Sequence, residues 1–121
     1  MHVVLRCLIV DDSEEFLASA GRLLESQGLE VVAYATNGPQ AIELAAALEP
    51  DLAVVDIELA DEDGIELTHE LAASAPSTRI VLVSAYEREE LTDLISASRA
   101  VGFLPKNRLG ASAIAGLLGA A

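Results

Sequence analysis

Leu8-Ile9-Val10-Asp11-Asp12-Ser13 decides the reading of this chain: an apolar run stops abruptly in two carboxylates and a hydroxyl. The run reaches back through Val3-Val4-Leu5-Arg6-Cys7, so apolar side chains fall on both faces of an extended segment. Such a strand is covered on both sides, as in a parallel sheet, whereas a half-exposed strand would alternate with polar residues. Similar runs recur at 31–34, 52–55, 80–83 and 102–104, making five strands with the first at 7–10.

Between these runs lie stretches of helical length rich in Ala, Leu and Glu. Phe16, Ala20, Leu23 and Leu24 share helical spacing and stop before Gly28. Gly38-Pro39 opens a second helix, striped by Ala41, Ile42, Ala45 and Leu48 and ended by Pro50. Further helices are expected over 65–75, over 87–98 and from 109 to the C-terminus. The last is weakened by Gly110, Gly116 and Gly119, each costing about 1 kcal/mol relative to Ala. Strands alternating with helices in this way predict an α/β fold, a (βα)5 doubly wound parallel sheet. Right-handed crossovers favour the flavodoxin-like strand order 2-1-3-4-5. Residues 1–121 read as one domain, without repeats or a linker.

Of the 121 residues, 52% are hydrophobic and 22% charged, enough for a packed core. Seven Lys and Arg against 20 Asp and Glu leave a formal charge of −13. The basic residues, Arg6, Arg22, Arg79, Arg88, Arg99, Lys106 and Arg108, are scattered, which argues against direct binding of nucleic acid. Cys7 is the single cysteine, so no intramolecular disulfide or cysteine-held zinc is available, and it reads as a small buried side chain. Nothing approaches the roughly 18 uninterrupted apolar residues of a membrane helix, and the first run is too short for a signal peptide. A cytoplasmic protein away from the membrane is expected. His2 and His69 read as surface residues.

In open α/β sheets, function lies beyond the carboxyl ends of the strands, where the strand order reverses. With this order that point lies between strands 1 and 3. Strand 1 leads into Asp11-Asp12, and strand 3 ends in Asp56 after Leu52-Ala53-Val54-Val55. Carboxylates gathered there repel, and an all-oxygen site suits a hard divalent ion, Mg²⁺ before Ca²⁺. Each residue also has a plainer role. One of Asp11 and Asp12 is expected to cap helix 1, and Asp56 alone is a plausible turn residue. Lys106, the only lysine, lies past the last strand on the same edge, where an ammonium can pair with carboxylates or hold an anion. Ser84 closes strand 4 on that edge, and Ala85 leaves the approach open.

Taken in order, Leu8-Ile9-Val10-Asp11-Asp12-Ser13, Asp56 with Asp63-Gly64, Val83-Ser84-Ala85 and Gly102-Phe103-Leu104-Pro105-Lys106 resemble the receiver domain of bacterial two-component response regulators. The resemblance covers nearly the whole chain. It implies that Asp56 accepts a phosphoryl group from a phosphohistidine on a sensor histidine kinase. Asp11, Asp12, Asp56 and the backbone carbonyl of Glu58 would hold Mg²⁺, and Ser84 and Lys106 would contact the phosphoryl oxygens. Ser84 and Phe103 would form the switch, the ring turning inward as the hydroxyl moves. Helix 1 and the loop after strand 5 would dock the kinase, through Ser13, Glu14, Phe16, Asn107 and Arg108. No turnover is implied beyond slow self-phosphorylation and self-dephosphorylation.

The chain departs from the family in places. Ala60 stands where Pro is frequent, and Asn107 follows Lys106 where Pro, often cis, is usual. Glu58 and Tyr86 occupy positions that tune phosphoryl lifetime in the family. The Gly-Phe-Leu-Pro-Lys ending resembles receivers of the LuxR/NarL type, which implies transcriptional output; a phosphorylation-dependent homodimer is a further expected partner. The acid–base ladder of another receiver dimer class is missing, since helix 4 is acidic at Glu87, Glu89, Glu90 and Asp93 while helix 5 carries no Lys or Arg beyond Arg108 at its start. The chain is expected to be either a stand-alone receiver or a receiver cut from a regulator with a C-terminal DNA-binding domain. The main alternative is a receiver-like interaction module that works without phosphate. A haloacid dehalogenase-type phosphatase needs Asp-x-Asp after strand 1 and acids beyond its late lysine, and this chain has neither. A flavin carrier would have to seat a phosphate against Asp11-Asp12-Ser13-Glu14-Glu15, which repels it.

Overall fold

Each of the apolar runs becomes a strand, and the strands join in one parallel sheet covered by helices on both faces. The computed structural model describes residues 4–59, 61–87 and 89–120, so His2, Ala60 and Arg88 lie outside the described residues. In chain order the elements are β1 (Arg6–Val10), α1 (Glu14–Ser26), β2 (Glu30–Ala35), α2 (Gly38–Leu48), β3 (Leu52–Asp56) and α3 (Gly64–Ser74). They continue with β4 (Arg79–Ser84), α4 (Thr92–Ala97), β5 (Gly102–Pro105) and α5 (Ala111–Ala120). The sheet order is β2-β1-β3-β4-β5, the expected flavodoxin-like arrangement.

The core divides according to the two-residue period of the strands. Leu8 and Val10 of β1, Ala53 and Val55 of β3, and Ile80 and Leu82 of β4 face Ala41 and Ala45 of α2 and Leu67 and Leu71 of α3. Their neighbours Cys7, Ile9, Leu52, Val54, Val81 and Val83 face Leu17, Ala20 and Leu24 of α1 and Ile114 of α5. This double burial is why the runs carry no alternation. Burial also pushes the Cys7 thiol up to about 12, consistent with its packing role.

Local signals set the helix ends. α1 stops at Ser26, just before Gly28, whose φ of 97° suits glycine. Asn37 caps α2 and Asp63 caps α3, each accepting a backbone N–H. For α1 the expected aspartate cap is corrected: the cap is Ser13, whose hydroxyl accepts from Phe16 N, while Asp11 Oδ1 accepts from Ser13 N at 2.8 Å. Ser13 sits directly before the helix, where its short side chain reaches back to the third amide. Asp11 is thereby left facing the sheet edge.

The expected helix over 87–98 is also corrected. Only Thr92–Ala97 is α-helical, preceded by a 3₁₀ turn over Glu89–Leu91. None of its six residues is fully buried and Leu91 provides no side-chain cap, so little packing supports a longer helix. The last helix begins at Ala111, after Leu109 and Gly110. A short antiparallel hairpin, Glu58–Leu59 paired with Glu62–Asp63, is an addition that the sequence did not announce.

Gly64 locks this hairpin to β3. Its N–H donates to Ile57 O at 2.8 Å, and a Cβ there would run into the backbone of Asp56 and Ile57. Gly64→Ala is therefore expected to cost about 1–3 kcal/mol and to lower the thermal midpoint by several degrees. Thermal denaturation checks this, and an unchanged midpoint would contradict so close an approach.

Candidate functional site

Parallel register brings the ends of the strands to one edge. Val10 pairs with Val55, Asp56 with Val83, and Ser84 with Pro105. Asp11 follows β1, Asp56 closes β3, Ser84 closes β4, and Lys106 follows β5. Asp11, Asp56 and Ser84 are buried, whereas Asp12 is exposed.

One carboxylate oxygen each from Asp11, Asp12 and Asp56 lies within 4.8 Å of the others. The Lys106 ammonium enters this group, 2.7 Å from Asp11 Oδ2 and 3.4 Å from Asp56 Oδ2. Asp56 Oδ1 accepts the Glu58 N–H at 3.0 Å, which fixes the carboxyl plane. Asp11 Oδ2 has no hydrogen-bond partner of good geometry, so the ammonium 2.7 Å away holds it by charge. Beneath Lys106 the Phe16 ring lies 4.3 Å from the nitrogen and offers its negative face.

The electrostatics follow from this packing. Burial pushes the Asp56 carboxyl from 3.8 up to about 6; the Asp11 charge adds to this, and the Glu58 N–H and Lys106 oppose it. Burial would depress the Lys106 ammonium, but its close pairing with Asp11 and the charges of Asp56 and Asp11 outweigh it and hold the group above its usual range.

The donor set fits a hard divalent cation. All three side chains offer oxygen, and one Asp11 oxygen is buried without a directed partner. Three carboxylates against one ammonium leave two negative charges, the charge of one divalent ion.

A family model described as the response regulator receiver domain matches residues 7–113. The chain belongs to this family. Among curated proteins, a protein-glutamate methylesterase/protein-glutamine glutaminase from Pseudoalteromonas translucida is 37% identical over 107 residues. That match takes in 86% of this chain but 27% of that protein, so the chain spans little more than a quarter of its curated relative. Among solved structures, the signal receiver domain of NarL from Mycobacterium tuberculosis superposes with a TM-score of 0.84 at 27% identity, covering 98% of this chain and 97% of that one. A Burkholderia pseudomallei response regulator, solved with a phosphorylated aspartic acid, calcium ion and citrate, has a TM-score of 0.82 at 27% identity, covering 93% and 66%. The curated relative is named for an esterase and glutaminase, so the transcriptional output expected above finds no support from that comparison.

Phe103 is half-buried, packs against the α2–α3 side of the core and lines a cavity of about 300 Å³ with Ile95 and Arg108. Of the expected kinase contacts, Phe16 and Asn107 share a groove with Lys106, and Ser13 lines the adjoining one with Phe16. Glu14 lines a groove with Arg22 and Tyr34, and Arg108 lines the cavity beside α4. The Lys106–Asn107 peptide is trans. No helix among the described residues is long and apolar enough to cross a membrane.

Three roles were missed from sequence. The Glu58 carboxylate accepts from Ser84 Oγ, Glu62 accepts the first α2 amide at Gly38, and Phe16 lies under Lys106. The first two partners are 26 and 24 residues apart, with no local spacing to reveal them.

Proposed function

We propose that Asp56 is the phosphoryl acceptor of a two-component signalling switch in the cytoplasm, with a sensor histidine kinase as donor and Mg²⁺ as cofactor. The observation that carries this reading is Lys106 reaching both Asp11 and Asp56, beside an oxygen triad that is two charges short of balance. The phosphorylated aspartic acid in the Burkholderia structure supports it as a likeness.

Asp11, Asp12, Asp56 and the Glu58 carbonyl would hold the ion. When bound, it neutralises charge on the transferring group. Asp56 attacks phosphorus as the ionised carboxylate; an O–P bond forms while the histidine N–P bond breaks, and the electron pair stays on the imidazole nitrogen. Transfer of this kind needs positioning more than covalent help. The Glu58 N–H fixes one Asp56 oxygen, and Lys106 stands beside the other. Lys106 and the Ser84 hydroxyl then take the phosphoryl oxygens. Movement of Ser84 opens space for the Phe103 ring, which carries the change to the face of α4 and β5.

The kinase docks over the groove of Phe16 and Asn107. The chain as a whole is one receiver domain that controls an output. The curated relative, of which the match covers 27%, is named as a protein-glutamate methylesterase/protein-glutamine glutaminase. A DNA-binding output has only the Gly-Phe-Leu-Pro-Lys ending and the likeness to NarL behind it.

Incubation with acetyl phosphate, with and without Mg²⁺, and intact-mass measurement test the reading. A single Mg²⁺-dependent phosphoryl adduct is expected, and Asp56→Asn should abolish it. Failure to take either acetyl phosphate or beryllofluoride would favour the phosphate-independent interaction module.

A further inference from the structure

Ser84 Oγ donates to Glu58 Oε1 at 2.9 Å and accepts from Tyr86 N at 3.3 Å. A serine hydroxyl carries one proton, so a hydroxyl bonded to Glu58 has none left for a phosphoryl oxygen. We infer that the Glu58 carboxylate is a latch on the switch hydroxyl: it holds the Ser84 proton in the unphosphorylated chain and surrenders it when Asp56 is phosphorylated. The inference rests on Asp56 being the acceptor and Ser84 a phosphoryl contact.

The two partners differ in what release costs them. Ser84 is fully buried, so its hydroxyl needs a replacement acceptor before it can leave. A phosphoryl group on Asp56 supplies one. Glu58 is exposed, so its carboxylate keeps access to water when the hydroxyl leaves. Its charge would also face the phosphoryl dianion two residues away, and that repulsion pushes toward release. The same residue grips the acceptor, because its N–H bonds Asp56 Oδ1 at 3.0 Å and the hairpin pairing of Glu58 with Asp63 holds the backbone there. Glu58 therefore touches acceptor and switch through different atoms. Substituting its side chain keeps the backbone N–H and carbonyl, and comparison with the Ser84→Ala background isolates the loss of the latch.

A latch lowers apparent affinity for the activating group by the fraction of chains it holds back. Beryllofluoride affinity with Mg²⁺ is to be measured for the wild-type chain, Glu58→Ala, Ser84→Ala and the double variant. Glu58→Ala is expected to bind about tenfold tighter where Ser84 is present, and less than about twofold tighter in the Ser84→Ala background. An equal gain in both backgrounds means that Glu58 acts through charge alone and overturns the latch, as does no gain. Hα–Hβ couplings of Ser84 in the unmodified chain read the contact without any phosphoryl chemistry. One fixed rotamer is expected in the wild type and averaging in Glu58→Ala, whereas averaging in both overturns the latch. A fixed rotamer in a wild-type chain that binds no beryllofluoride overturns the acceptor reading, and the regulatory role falls with it.

Discussion

Asp56→Asn is expected to raise the thermal midpoint of the metal-free chain at pH 7.5, although it removes a partner of Lys106. In the folded chain burial pushes the Asp56 carboxyl from 3.8 to about 6. Below 3.8 both folded and unfolded chains hold the proton, and the group has no effect on stability. Between 3.8 and about 6 the unfolded chain ionises first, so stability present at acid pH is lost as pH rises through the folded value. At pH 7.5 the wild type bears the whole cost, on the order of 1–3 kcal/mol at 1.36 kcal/mol per pH unit. Asn carries no charge, and Lys106 keeps its 2.7 Å pair with Asp11. Thermal denaturation in EDTA across pH 4 to 8 checks this. The variant should lead by several degrees at the alkaline end, and its lead should vanish near pH 4. A variant less stable than wild type at pH 7.5 would contradict it.

Lys106→Met should act in the opposite direction and more strongly. The Asp11 side chain has no exposed surface, and its buried oxygen is held only by the ammonium charge. Removing one member of a buried pair costs about 3–5 kcal/mol, reduced to about 2–3 here because the lysine side chain is 20% exposed. A midpoint lower by roughly 10 °C in EDTA follows, and Mg²⁺ at millimolar concentration should restore most of it. The methionine keeps an apolar stem against Phe16, so the loss reports charge and not packing. Phosphoryl uptake should also fall by about 10²–10³-fold, the usual consequence of removing one aimed positive group. Calorimetry with and without Mg²⁺ and acetyl phosphate uptake measure the two effects. An unaltered midpoint in EDTA would show that Asp11 does not depend on Lys106.

Much of the fold was legible because its strands are buried on both faces. Residues 80–83 leave no polar alternation to mistake for a surface strand, and the same holds for 52–55. The site was legible for a related reason: a parallel sheet aligns its carboxyl ends, so acids after strands 1 and 3 and a lysine after strand 5 must share an edge. What escaped depended on neighbours distant in the chain. Helical spacing from Glu87 onward does not reveal that none of Thr92–Ala97 would be fully buried, and the helix shortened accordingly. The Asp11 side chain was free to face the site because Ser13 had taken the cap, a competition between adjacent residues that composition does not rank. The Glu58–Ser84 bond exists only because the unannounced hairpin holds Glu58 beside Asp56.

Borohydride reduction after treatment with acetyl phosphate and Mg²⁺, followed by peptide fragmentation, bears most directly on the acceptor. The reagent reduces an acyl phosphate to the alcohol and leaves a free carboxylate intact. Expected is homoserine at position 56 alone, dependent on both the phosphoryl donor and Mg²⁺. Homoserine at Asp11 or Asp12, or at no position in a chain that takes up phosphoryl groups, would contradict Asp56 as the acceptor.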